Sequence, residues 1–178
     1  MKLIETKLSG VYIIETNIFS DERGIFIKIF NADYFKKMGL ECDFKESFYS
    51  TSRKFVIRGM HFQIPPQDYT KLIYVTKGKI IDVVLDIRKG SATYGKYISE
   101  ELSDKNGRCA YIPKGFAHGF LALVDNSTTV YMQTTVYAPT YDKGIRFDSF
   151  GMNWMVKKPI ISERDKSFPK LEDFESPF

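Results

Sequence analysis

The chain holds two histidines, and one of them sits in a segment crowded with groups able to handle a proton. The segment reads Arg58-Gly-Met-His61-Phe-Gln63-Ile-Pro-Pro66-Gln-Asp-Tyr-Thr-Lys71. An imidazole gives and takes protons near neutral pH, a guanidinium is a fixed cation, and an ammonium can face a developing negative charge. Together they suit proton removal from an acidic carbon beside an anion. The alternative is an imidazole simply packed inside a β protein. Strand-like runs over 54–62 and 71–75 carry these residues. Side chains alternate faces along a strand, which groups Arg58 with Met60 and Phe62 and sends His61 the other way with Gly59 and Gln63. Arg58 and His61 meet only if the strand bulges or bends between them, and Gly59 is the place for that.

The second histidine closes the pattern Gly107-x5-Pro113-x-Gly115-x2-His118. This is the spacing of the second cupin motif, without that motif's later Asn, where Ala122 stands. Pro113 and Gly115 make a tight turn at a strand start, which directs His118 into a barrel mouth. A packed or supporting histidine is the alternative. Metal-binding cupins also present a His-x-His pair and a Glu, whereas the matching stretch here is His61-Phe-Gln63. Two histidines without a third protein ligand at ligand spacing make a poor metal site. Neither a catalytic metal nor a cofactor is expected.

The elements that must position these residues are short and β-rich. With 178 residues the chain can bury a real core as one domain, 1–178. The 15 Phe and 11 Tyr favour strands and a lined pocket. Residues 1–20 read as two strands, the first without an obvious local partner, and 25–30 as a third. Asn31 caps a short helix, 32–38. Further strands are expected over 44–52, 54–62, 71–75, 79–86, 97–102, 109–112, 120–124 and 128–137. The run from Ile80 to Ile87 is almost continuously apolar, as in a strand covered on both faces. The tail from Ser162 carries a possible helical turn. About ten short strands punctuated by Gly and Pro, with one or two short helices, indicate an all-β sandwich or barrel of the jelly-roll type, which the cupin spacing at Gly107–His118 narrows to a cupin.

Composition excludes several other classes. A net charge of +4 with dispersed cations lacks the basic stripe of a nucleic-acid binder. No apolar run approaches the roughly 20 residues of a membrane helix. Cys42 and Cys109 form no CxxC, and no secretory signal is read at the N-terminus, so free thiols in a cytoplasmic protein are expected.

Further motifs fall in order along nearly the whole chain. They are Asp21-x-Arg23-Gly24-x-Phe26, the Arg58 segment, Gly78-x-Ile-x-Asp82-Val, and Asp86-x-Arg88-x-x-Ser91-x-Thr93-x-Gly95. Pro113-x-Gly-Phe-Ala-His118-Gly-Phe120, Tyr131 with Tyr137, and Ser162-x-x-Asp165 follow. In this order and spacing the chain resembles the dTDP-4-dehydrorhamnose 3,5-epimerase family of metal-free cupins. The resemblance implies epimerisation of a nucleotide-linked 4-keto-6-deoxy sugar, and a homodimer. It assigns His61 as base, Asp165 as its orienting carboxylate, Lys71 as the cation facing the C4 oxygen, and Tyr131 as the acid on the opposite face. Tyr137 is a second phenol at an even offset in the same strand. Arg23 and Arg58 fall to diphosphate or sugar oxygens, with Gln63 and His118 among the binding residues.

The nucleotide side departs from the family pattern. Lys28 stands where a Glu is usual, and Glu46 and Phe48 replace a Gln-x-Asn pair before Ser50 and Ser52. An ionised Glu only accepts hydrogen bonds, which suits the exocyclic amine of cytosine better than thymine. Two other functions use much of this machinery. A 3,4-ketoisomerase would move the carbonyl through the same enolate, and a binding cupin would hold the sugar nucleotide without turning it over.

Overall fold

The computed structural model describes residues 1–178. The chain begins with strands β1 (Lys2–Glu5), β2 (Tyr12–Glu15), β3 (Ile18–Asp21) and β4 (Gly24–Ile27), followed by helix α1 (Ala32–Lys37). Its middle supplies β5 (Glu46–Ser52), β6 (Ile57–Gln63), β7 (Lys71–Lys77), β8 (Lys79–Asp86) and β9 (Tyr97–Ser103). Then come β10 (Arg108–Ile112), β11 (Phe116–Ala122), β12 (Ser127–Gln133) and β13 (Asp142–Gly144). The tail carries only a helical turn, α2 (Glu163–Lys166), and a 3₁₀ turn at Leu171–Asp173.

Six strands pair in the order β1-β2-β10-β7-β12-β5, five in the order β13-β6-β11-β8-β9, and β3 with β4 forms a separate hairpin. Successive strands such as β6 and β7, or β10, β11 and β12, alternate between the two sheets. The chain therefore winds back and forth between two facing antiparallel layers, which is the jelly roll of a cupin. No helix is long and apolar enough to cross a membrane.

Strand alternation explains the layering. Val11, Ile73, Ile80, Val84, Ile112 and Phe120 point between the sheets and form one buried cluster. On the outer face of the larger sheet, Ile14, Leu72 and Cys109 pack with Phe35 of α1. Asn31 caps that helix by accepting from the Tyr34 N–H at 3.1 Å. On the outer face of the smaller sheet, Val83, Leu85 and Leu121 lie with Phe150 and Trp154 from the tail. β8 thus has Ile80 and Val84 inside and Val83 and Leu85 beneath the tail, so its apolar run is covered on both faces as expected.

Some local expectations shift. β1 does have a partner, β2, with Lys2 opposite Glu15 and Glu5 opposite Tyr12. The unattached element is the β3–β4 hairpin instead. The segment around His118 is not a loop between strands, because Phe116–Ala122 pairs with β8 along its whole length. β12 ends at Gln133 and leaves Tyr137 beyond it, so the two tyrosines do not share a strand.

Candidate active site

The bulge expected at Gly59 is present. In the β6–β11 ladder His118 pairs with His61, yet Phe120 pairs with Arg58. β6 therefore spends one more residue than β11 over the same span. The extra residue turns Met60 outward to join Ile57 and Phe62 under the tail. It returns both Arg58 and His61 to the inner wall, where they line the same cavity. Simple alternation had grouped Met60 and Phe62 with Arg58; the bulge breaks that grouping.

The cavity, of about 410 Å³, opens between the two sheets and is within the range of small-ligand sites. One wall belongs to the smaller sheet. There the His61 Nε2 lies 2.8 Å from Asp165 Oδ1. Asp165 is buried in α2, a turn whose N-cap, Ser162, accepts from the Asp165 N–H at 3.1 Å. Its second oxygen accepts from the Gly59 N–H at 3.1 Å. Burial pushes this carboxyl up, but the hydrogen bonds from His61 and Gly59 outweigh it and hold it below its ordinary value. An ionised Asp165 fixes the ring with Nε2 as donor, which leaves Nδ1 as the nitrogen free to take a proton.

The facing wall belongs to the larger sheet. Tyr131 on β12 stands there with its hydroxyl 3.2 Å from Ser50 Oγ. Burial raises this phenol above its ordinary value, so it carries its proton at neutral pH. Lys71, at the start of β7, reaches across the gap and donates to the His61 carbonyl at 3.3 Å. Its ammonium lies 4.8 Å from the centre of the Tyr69 ring. Burial lowers its pKa to about 8, with Asp142 and Asp82 pulling the other way. Behind these groups the His118 Nε2 sits 2.6 Å from Asp82 Oδ1, both fully buried. Burial, the largest influence, pulls the His118 pKa down despite that carboxylate.

Towards the mouth, Glu46, Phe48, Tyr137 and Arg58 line the opening. Arg58 is steadied by Ser52, whose Oγ accepts from Nε at 3.0 Å. Glu46 accepts from the Tyr137 N–H at 2.8 Å, which ties the segment after β12 to β5.

Three expected residues stand elsewhere. Gln63 is buried outside the cavity: its amide donates to the Gln67 and Val136 carbonyls and accepts from Ala138 N–H. Arg23 lies on the β3–β4 hairpin with 86% of its side chain exposed, paired only with Asp21. Lys28 follows that hairpin and is also exposed. Conversely, Arg164 and Asp142, an ion pair lining the cavity, were not anticipated. Asp82 was also unassigned, although a carboxylate inside the apolar Ile80–Ile87 run is a signal in itself. No three His, Cys, Asp or Glu side chains are gathered as a metal ion would need.

A jelly roll that holds a His–Asp dyad on one wall and a protonated phenol on the other defines an acid–base cupin. The family model for dTDP-4-dehydrorhamnose 3,5-epimerase matches residues 5–173. A dTDP-4-dehydrorhamnose 3,5-epimerase of Methanothermobacter thermautotrophicus is 44% identical over 97% of this chain and 95% of its own length. One from Shigella flexneri is 38% identical, covering 97% of each chain. Among solved structures, an epimerase from Legionella pneumophila in complex with dTDP-4-keto-L-rhamnose superposes with a TM-score of 0.93. It is 34% identical, with 98% of this chain and 94% of that one covered. The chain belongs to the dTDP-4-dehydrorhamnose 3,5-epimerase family, and with it to the isomerases that epimerise nucleotide-linked sugars.

Proposed function

We propose that the chain inverts C3 and C5 of a dTDP-linked 4-keto-6-deoxy sugar through an enolate, in deoxysugar synthesis of the dTDP-L-rhamnose type. One observation carries the reading: base and acid stand on opposite sheets of one cavity, with the Lys71 ammonium reaching between them. The C4 ketone acidifies the hydrogens on C3 and C5. His61 Nδ1 takes one of them, and the electron pair of the broken C–H bond moves into the C4 oxygen. Lys71, itself buried, offsets that charge with a cation held away from bulk water. Tyr131 then gives its O–H proton to the carbon from the other side, which inverts the centre and restores the ketone. Its phenolate is reprotonated from solvent and the His61 imidazolium, 29% exposed, gives its proton up to solvent before the second centre reacts. Arg58 and Arg164 line the same space and suit the diphosphate, which a guanidinium binds with paired donors.

Arg23 and Lys28 enter through a homodimer in this reading. Phe19 and Phe26 on the β3–β4 hairpin are 58% and 60% exposed, an apolar surface suited to cover by a second copy. Such a copy receives the hairpin at its cavity and with it Arg23. The free thiols of Cys42 and Cys109 and the nucleotide-sugar substrate fit the cytoplasm.

The test is incubation in deuterated water with dTDP-4-keto-6-deoxyglucose and its CDP and GDP counterparts, with label counted by mass spectrometry. Two deuterons and a retained C4 ketone are expected with the dTDP sugar. One deuteron makes the protein a single-centre epimerase, and a moved carbonyl makes it a ketoisomerase. No label from any of the three, while a family enzyme exchanges in parallel, leaves a binding cupin. Glu46 favours a second reading, in which the base is cytosine. Greater thermal protection by CDP than by dTDP supports it, and the reverse rejects it.

The same assay reads the Lys71 charge. Below a pKa of about 8 the side chain is an ammonium, and above it a neutral amine unable to balance the enolate. The exchange rate is therefore expected to fall as pH rises through about 8. Lys71→Met is expected to lose that fall together with most of the rate. A wild-type rate that stays level through this range would remove the Lys71 charge from the mechanism.

A further inference from the structure

Phe48 stands where the family pattern has an amide on the nucleotide side, yet its ring is engaged within the protein. It pairs directly with Tyr131 across β5 and β12. The two rings stack with centroids 4.6 Å apart and planes 14° apart. Ser50 lies against the Tyr131 hydroxyl at 3.2 Å, and the His118 ring meets Tyr131 edge-on at 6.2 Å. Phe48 is therefore the neighbour that lies flat on Tyr131. It is 42% exposed while Tyr131 is only 7% exposed, so Phe48 stands between the phenol and the open mouth. A tyrosine ring rotates about a broad torsion unless something packs on it. Proton transfer to a chosen face of a planar enolate tolerates little misplacement.

We propose that Phe48 is a positioning residue for proton return: its stacked ring fixes the plane of Tyr131 and keeps water from it, so that the enolate collects its proton on the inverting face. The proposal rests on the epimerase reading above. The enolate has two fates. Either the His61 imidazolium returns a proton to the original face, regenerating substrate, or the Tyr131 O–H bond breaks and its proton joins the opposite face, leaving a phenolate. Each fate forms one C–H bond and restores the C4 ketone. Phe48 acts on the choice between them and not on the first C–H cleavage.

The partition is measurable in deuterated water. His61 is 29% exposed, which lets its proton exchange with solvent before return. Wild type, Phe48→Leu and Phe48→Tyr are each incubated with dTDP-4-keto-6-deoxyglucose, and recovered substrate and inverted product are separated and their deuterium counted. Phe48→Leu is expected to raise the ratio of label in substrate to label in product by about tenfold, the scale of a modest misplacement of the acid. Its KM is expected to stay within about threefold, since uniform binding is not lost. Phe48→Tyr, which keeps the stacked ring, should return the ratio to wild type. An unchanged ratio in Phe48→Leu overturns the proposal, and if KM rises instead, Phe48 serves the nucleotide base. Labelling that falls equally in both pools also overturns it, because general damage to the site lowers both fates alike. Wild type that exchanges with no nucleotide sugar sinks the epimerase reading and this proposal together, a result distinct from exchange with an unaltered ratio.

Discussion

Replacing His61 by Ala is expected to lower deuterium uptake at C3 and C5 by about 10³-fold, the usual loss when a positioned general base is removed. Nucleotide affinity should hold within about threefold, because the variant removes a group that acts on the sugar carbon. Asp165→Asn is expected to cost almost as much while leaving the imidazole in place. Asp165 Oδ1 sits 2.8 Å from His61 Nε2 and its other oxygen accepts from the Gly59 N–H, so an amide must present its donor NH₂ to one of the two. With the NH₂ towards His61 the ring must accept at Nε2 and carry its proton on Nδ1, where the base is needed, and the tautomer is wrong for catalysis. With the NH₂ towards Gly59 two donors collide. Exchange rates, isothermal titration with dTDP and a denaturation curve for each variant separate these effects. Exchange that survives in His61→Ala within tenfold of wild type (about 1.4 kcal/mol of transition-state energy) would move the base elsewhere, His118 being the other imidazole in the cavity.

Much of this site was legible because chemistry-bearing residues in short strands leave few places to go. His61, Lys71, Tyr131 and His118 lie in strands or at their ends, and all four line one cavity. Asp165 was visible only through the Ser162-x-x-Asp165 motif, and the reason for that spacing is now physical: Ser162 caps the turn that presents the carboxylate. What stayed hidden depended on tertiary geometry. Alternation arithmetic cannot count the residue added by a bulge, so by itself it puts Arg58 on the face of Met60 and Phe62, and only Gly59 marks the spot where that grouping breaks. A glutamine reads the same in sequence whether its amide meets a ligand or, as with Gln63, three backbone groups. Arg164 immediately precedes Asp165 in the same turn, yet its partner Asp142 comes from a distant strand, and no local pattern joins them. Arg23 lies on the β3–β4 hairpin and Lys28 just after it, both exposed, and no local pattern in their sequence tells that this hairpin stands apart from the two sheets.

Gly59→Ala should be the most damaging single methyl that can be added to this protein's site. Gly59 has φ of +127°, a conformation that side chains rarely adopt. A Cβ built there lies 2.4 Å from Gly119 Cα and 2.9 Å from the His118 carbonyl oxygen. Both neighbours are backbone of β11, so no side chain can swing away and the strands themselves must part. Strain and overpacking each cost about 1–3 kcal/mol, and together a loss of about 3–5 kcal/mol is expected. For a domain of this size that lowers Tm by about 10 °C or more. Activity should fall further than stability explains, because the Gly59 N–H donates to Asp165 and the displaced bulge carries Arg58 and His61 with it. Gly151→Ala provides the comparison: its φ is +81° and an added Cβ meets nothing within 4 Å. That variant bears the conformational strain alone, about 1–2 kcal/mol, with exchange kinetics unchanged. Urea denaturation and deuterium exchange on the two variants decide the matter. If Gly59→Ala is no less stable than Gly151→Ala, the close approach of β6 to β11 is not what shapes the bulge. If it is less stable but exchanges deuterium at the wild-type rate, the bulge does not set the register of Arg58, His61 and Asp165.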